Sequence, residues 1–142
     1  LLAELQSGDW PVQVAAAEVS GRLGIQDAAP VLRRLLEEEH AIPADQLYLP
    51  DGEGGEAEAK RWRLKAALIA ALGRLRDRDS VALLGRMIAD NIDTYMVYSC
   101  ACQALGRIGG EAALAAVQPS LKDTEINSLM RARHAAAALT RP

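Results

Sequence analysis

The residue types that could carry catalysis are scattered along this chain. Its two histidines, His40 and His134, stand far apart in sequence, and no serine has a base close by, which leaves nucleophilic catalysis without support. The Gly-rich stretch at 52–55 is not followed by the Lys-Ser/Thr pair of a phosphate-binding loop. No set of His, Asp and Glu has the spacing of a metal site. We therefore predict no catalytic residue, no metal and no cofactor, and an enzymatic role is disfavoured.

Four arginines at one recurring sequence position offer a different chemistry, the binding of anions. They are Arg22, Arg74, Arg107 and Arg141. Stacked repeats would place them about 10 Å apart, which is one helix-packing distance. The alternative is structural, because a cation near a helix C-terminus gains about 0.3–1 kcal/mol from the helix dipole. We favour the structural interpretation.

The arginines belong to a block that repeats along the chain. The block reads apolar, three residues, Ala or Leu, three residues, then Ser or Leu followed by Gly-Arg-Leu or Gly-Arg-Ile, and its glycines are Gly21, Gly73 and Gly106. A degenerate fourth copy runs from Arg131 to Pro142 and has Thr140 in place of the glycine. The last two steps are 33 and 34 residues, whereas the first is 52 and so carries an insertion. Self-similarity at this period is typical of stacked helical units that bury their apolar faces on each other.

Each repeat divides into two helices. The first-type helix carries the Gly-Arg block, and we predict it over 9–23, 60–75 and 95–108, with Asp9 as a cap and Gly24 as a left-handed exit. The second-type helix follows, capped by Asp27 in one repeat and by Asp79 or Ser80 in the next. Apolar residues recur at helical spacing throughout, and no segment alternates as a strand would.

The predicted fold is therefore an all-α solenoid of stacked antiparallel helix pairs. We assign residues 1–142 to a single domain of about 3.5 repeats with a loop insertion at about 40–58, whose acidic, Gly-rich second half we expect to be mobile. The chain starts without Met, and the final helix at 124–140 would leave an apolar strip uncovered. We expect a fragment of a longer solenoid, with pairing of exposed terminal helices between two copies as the alternative.

The blocks Val97…Ala101…Leu105–Gly110 and Leu64–Leu84 resemble HEAT-like repeats, in the short subtype also found in phycobilisome chromophore lyases. The resemblance implies an armadillo-type superhelix that acts as a scaffold for protein partners. A basic residue expected after the block's first apolar position survives only as Lys65. The Glu39-His40 order is the reverse of the His-Glu pairs of iron-dependent HEAT hydroxylases, so that enzyme class is excluded.

The leading functional prediction is a non-catalytic module that binds a protein partner of unknown identity through the polar faces of the second-type helices. Tyr48 and Trp62 could serve as anchors, because aromatic residues and Arg dominate binding hot spots. The predicted partner-binding residues are Arg33, Arg34, Glu37, Glu38, Tyr48, Trp62, Arg86 and Asp90. The resemblance leaves two alternatives, a bilin chromophore lyase or isomerase subunit and a nucleic-acid-binding HEAT array. A net charge of −3 disfavours nucleic acid as the partner.

The setting of the protein is predicted from its cysteines and its hydropathy. Cys100 and Cys102 would point to opposite sides of one helix and so cannot bridge each other. Two unbridged thiols indicate a reducing compartment, and we predict a cytoplasmic protein. No apolar run reaches the ~18–20 residues that cross a bilayer, so a membrane is not among the predicted partners.

Overall fold

The structure is a computed structural model that describes residues 1–42, 55–90 and 95–118, with only the backbone described for 55–61 and for 95. These residues form helices and turns and contain no strand, which confirms the predicted all-α class. None of their helices is both long and apolar enough to cross a membrane. The helices are α1 (Leu2–Leu5), α2 (Trp10–Leu23), α3 (Ala29–His40), α4 (Gly55–Arg74), α5 (Val81–Asp90), α6 (Tyr95–Ile108) and α7 (Glu111–Val117).

The first-type helices are α2, α4 and α6, and local sequence explains where α2 begins and ends. Pro11 occupies the opening turn of α2, where its missing N–H is not needed. Gly24 ends the helix in the left-handed region at φ 66°, and its N–H donates to the Gly21 carbonyl. Asp9 precedes the helix as predicted, but its side chain makes no capping hydrogen bond.

The predicted caps of the second-type helices are wrong. Asp27 lies inside a 3₁₀ turn, Gln26–Ala28, that precedes α3, and Asp79 and Ser80 lie inside the equivalent turn, Arg78–Ser80, before α5. The tight turns satisfy N–H groups that a side-chain cap would otherwise have bound. In the second turn, the Ser80 N–H and hydroxyl both donate to the Asp77 carbonyl.

The helix α4 begins at Gly55, five residues before the predicted start at Lys60. Residues 55–58, which we assigned to the loop insertion, are therefore helical. The segment that follows Gly55 in sequence, Glu56–Ala59, consists of strong helix formers with acidic residues where the helix dipole favours them. Residues 43–54 and the final helix predicted at 124–140 lie outside the described residues.

The helices stack as the repeat period predicts. The first-type helices form one layer, with α2 packed on α4 and α4 on α6. The second-type helices lie behind it, with α1 against α2, α3 against α4 and α5 against α6. One continuous apolar core joins the layers, and its fully buried members include Leu32, Leu36, Leu68, Leu72 and Leu84.

The repeated glycine marks the point where neighbouring first-type helices come closest. A Cβ added to Gly73 would lie 2.8 Å from the Cα of Ala104, and one added to Gly21 would lie 2.9 Å from the Cα of Ala71. The two helix backbones are therefore in direct contact at both positions, and the distance between them leaves no room for a side chain at the glycine. The glycine explains the close approach that we expected from its recurrence.

The short helix α1 is tied to α2 by one buried hydrogen bond. Gln13 is buried, and its Nε2 donates to the Leu5 carbonyl over 2.8 Å. Because four residues cannot sustain a helix alone, we expect Gln13→Ala to lower the unfolding free energy by about 1 kcal/mol and to speed amide exchange in α1. Gln26→Ala is the control, because Gln26 is exposed although it also bonds a carbonyl, that of Leu75. An equal loss in the two variants, measured by urea unfolding, would contradict this role for Gln13.

Candidate protein-interaction surfaces

The first candidate surface is an open groove between α2 and α4, with a volume of about 560 Å³. Its walls are one row of side chains from each helix, spaced four residues apart, so that each row follows the helix axis. We call it the tryptophan groove. The row on α2 is Trp10, Val14, Glu18 and Arg22, the row on α4 is Trp62, Ala66, Ala70 and Arg74, and Cys100 of α6 also lines it.

The groove has an aromatic end. Trp10 and Trp62 are partly buried, pack against the core and line the groove at equivalent repeat positions. They are the only tryptophans of the chain. The Arg63 guanidinium lies over the Trp62 ring, 5.9 Å from its centroid, a cation–π contact.

The opposite end of the groove is cationic. Arg22 and Arg74 are exposed in the last turns of α2 and α4, and neither forms an ion pair in the part of the chain that the structure describes. The stem of Arg74 lies against α2, since its Cδ would be 3.4 Å from a Cβ on Gly21. With Arg63, three arginines line the groove against one acidic residue, Glu18. The groove is thus net positive although the whole chain is net negative.

The second candidate surface lies between α3 and α5, where charged side chains surround a gap of about 640 Å³. Three of the predicted partner-binding residues meet here, Glu37, Arg86 and Asp90. The Arg86 Nη2 donates to the Glu37 carboxylate over 3.2 Å, and both side chains are largely exposed. We call this the charged gap. Its ion pairs join α3 to α5, so these side chains already have partners within the chain.

Two neighbouring arginines of α3 differ in their surroundings. The Arg33 Nε lies 3.0 Å from Asp77 Oδ2, and only 31 % of the Arg33 side chain is exposed. Burial raises the pKa of the Asp77 carboxyl above its ordinary value, although the charge of Arg33 acts the other way. Arg33 therefore fastens α3 to the α4–α5 connection. Arg34 stays at the surface, 3.8 Å from the equally exposed Glu38.

A chain of polar contacts joins three helices and runs from the buried Lys65 to the exposed wall of the charged gap. Lys65 of α4 is fully buried, and its Nζ lies 3.3 Å from His40 Nδ1. The His40 Nε2 lies 2.8 Å from Asp90 Oδ2. Because a lysine ammonium only donates hydrogen bonds, Nδ1 accepts and Nε2 carries the proton that His40 donates to Asp90.

Trp62 lines the tryptophan groove, whereas the six charged residues predicted with it lie on the second-type helices α3 and α5. Sequence reasoning therefore did not group Trp62 with the residues that surround it. It missed Trp10. An alignment of the repeats would have found it, because Trp10, Trp62 and Tyr95 each stand eleven residues before the repeated glycine. Tyr48, the other predicted anchor, lies outside the described residues.

The thiols and metal-binding groups add no reactive centre among residues 1–42, 55–90 and 95–118. Cys100 and Cys102 form no disulfide in this part of the chain, and burial raises the pKa of the Cys100 thiol, which keeps it in its unreactive protonated form. No group of three or more His, Cys, Asp or Glu side chains in these residues could hold a metal ion.

The layered stack and its open grooves define a helical-repeat protein, an α-solenoid. A family model of HEAT repeats matches residues 56–140, which is more than half of the chain, and the chain belongs to that family. A comparison with curated proteins finds no match. The finer resemblance to the phycobilisome lyase subtype stays a prediction.

Proposed function

We propose that this chain is a non-catalytic protein-interaction module and that the tryptophan groove is its main docking surface. HEAT repeats commonly mediate protein interaction or scaffolding. The observation that carries the proposal is that Trp10 and Trp62, on two neighbouring helices, both line one open, largely apolar groove. Large aromatic side chains in a pocket, with arginines at the edge, are the residues that dominate binding hot spots.

A second, weaker docking surface combines Glu37, Arg86 and Asp90 of the charged gap with the exposed pair Arg34 and Glu38 of α3. These side chains are exposed, which supports the proposal, but most are joined to each other in ion pairs. Exposed ion pairs contribute only about 0–1 kcal/mol each, so a partner could replace them at little cost. Cys100 and Cys102, which form no disulfide among the described residues, support the further proposal of a reducing, cytoplasmic setting.

Selection of displayed random peptides on the purified chain tests the main proposal. We expect enriched peptides whose affinity falls at least about tenfold with Trp62→Ala, because truncation of a hot-spot aromatic removes roughly 2 kcal/mol or more. Ala70→Gln provides a second variant that fills the groove without truncating a core side chain. Ala70 lines the groove and is only partly buried.

The control variant is the double charge reversal Arg34→Glu/Arg86→Glu, which leaves the tryptophan groove unchanged. Circular dichroism establishes that all variants fold. Peptides that bind the control variant more weakly than wild type, but bind Trp62→Ala and Ala70→Gln as tightly as wild type, would show that the docking surface is the charged gap. Failure to enrich any peptide would contradict the interaction function itself.

A further inference from the structure

We infer that the tryptophan groove binds an amphipathic helix whose flanks carry acidic residues, a specification that rests on the proposed docking function. The inference combines the shape of the groove with its charge. Both are properties of the two side-chain rows on α2 and α4, which the structure describes along their whole length.

The shape fits a helix. The groove runs from Trp10 to Arg22, and thirteen residues of helix extend over roughly 18 Å at 1.5 Å per residue, which is between three and four turns. Its middle is lined by the small residues Val14, Ala66 and Ala70. Two parallel rows of side chains spaced four residues apart form the kind of furrow into which a row of side chains on a third helix packs. Apolar residues on one stripe of such a helix would contact both tryptophans.

The charge selects acidic flanks. Arg22 and Arg74 stand exposed at the same end of the two rows, without ion-pair partners in the described parts of the chain. The C-termini of α2 and α4 also lie at this end, and their dipoles favour the two arginines but oppose a carboxylate, so the attraction for an acidic partner comes from the arginines alone. Carboxylates on a docked helix would therefore complete pairs that α2 and α4 leave open, whereas lysines at the same positions would be repelled. Glu18 in the α2 row is the single acidic residue among those that line the groove.

The tryptophans report directly on this groove. Because the chain has no others, any change in its tryptophan emission on adding a peptide without Trp or Tyr arises at Trp10 or Trp62. The probe is an Ala-based helical peptide of about five turns with a Leu stripe at four-residue spacing and Glu on both flanks. Two further versions replace every Glu by Gln or by Lys, and circular dichroism checks that their helicity matches.

We expect the Glu peptide to shift the emission to shorter wavelength and to bind at least about tenfold more tightly than the Lys peptide at low salt, with the difference shrinking as salt rises. The double variant Arg22→Glu/Arg74→Glu should reverse the preference, so that the Lys peptide binds more tightly. The control Arg34→Glu/Arg86→Glu has the same net charge but lies on the second-type helices, and it should keep the wild-type preference.

Equal affinity for the Glu and Lys peptides, or an unchanged preference in Arg22→Glu/Arg74→Glu, would overturn the inference. Tighter binding of a short single-stranded DNA than of the Glu peptide, measured by tryptophan quenching, would also overturn it. The groove would then be a nucleic-acid site. If displayed peptides bind at Trp62 while the Glu peptide shows no preference, the docking function stands and only the acidic partner is wrong. If no peptide of either experiment binds, the docking function fails as well.

Discussion

Gly73→Ala is expected to lower the unfolding free energy of the protein by about 2 kcal/mol. The added methyl group would lie 2.8 Å from both the Cα and the Cβ of Ala104. Since the nearest atom is backbone, the two helices must separate, and overpacking of this kind typically destabilises by about 1–3 kcal/mol. Gly73 is the second-last residue of α4, so the gain in helix propensity from alanine is smaller there than the roughly 1 kcal/mol of a helix interior. A net loss can come only from the contact.

The control for this variant is Gly85→Ala in α5. There the added methyl group would meet only the Ala116 side chain, at 3.3 Å. We expect its unfolding free energy to stay within about 1 kcal/mol of wild type, because the gain in helix propensity offsets the tight contact. Chemical denaturation of both variants measures the difference. A Gly73→Ala protein as stable as Gly85→Ala would contradict the close approach of α4 and α6.

A reciprocal exchange isolates the contact itself. Ala104→Gly removes the methyl group that faces Gly73, so it should recover part of the loss when combined with Gly73→Ala. We expect the double variant to be more stable than the sum of the two single changes by about 1 kcal/mol, the coupling usual for residues in direct contact. Simple additivity of the two changes would show that the residues do not touch.

His40→Ala is expected to lower the unfolding free energy by about 2 kcal/mol. The variant takes a hydrogen-bond acceptor away from Lys65, which is fully buried, and hydrogen bonds to charged groups contribute about 1.5–3 kcal/mol. Asp90→Ala is the matched control, because it removes the contact between His40 and Asp90 but leaves the contact between His40 and Lys65. The Asp90 side chain is 53 % exposed, so its loss should destabilise by about 1 kcal/mol or less.

Urea unfolding measures both variants, and nitrogen chemical shifts of the imidazole in the wild type report its tautomer. We expect the proton on Nε2, since Nδ1 faces the Lys65 ammonium. A larger loss for Asp90→Ala than for His40→Ala would show that the exposed pair, and not the buried one, holds α3 against its neighbours. A proton on Nδ1 would contradict the assigned direction of the hydrogen bonds.

The repeat architecture could be predicted because its determinants are local and recur. Each copy of the block places a glycine near the end of a first-type helix, and the contacts of Gly21 and Gly73 with the next helix follow from that one spacing. The caps could not be predicted in the same way. Asp27 has the residue type of a cap, but the backbone forms a 3₁₀ turn around it instead.

The candidate sites were harder to predict than the fold. Arg33 and Glu37 look like free surface charges in sequence, yet their partners Asp77 and Arg86 stand more than forty residues away. His40 looked isolated for the same reason. Helical periodicity determines which face a residue occupies, but it does not determine which residue of the next repeat comes opposite. The tryptophan groove is the exception, since its two rows occupy equivalent repeat positions.

Proton–proton Overhauser contacts in the chain labelled at alanine methyl groups test the in-register stacking of first-type helices on which the groove depends. We expect strong contacts from the Gly21 Hα protons to the Ala71 methyl group and from the Gly73 Hα protons to the Ala104 methyl group. Both alanine Cβ atoms lie within 3.3 Å of where a glycine Cβ would be. Absence of both contacts in a fully assigned spectrum, or their replacement by contacts to other alanines, would contradict the stacking and with it the groove.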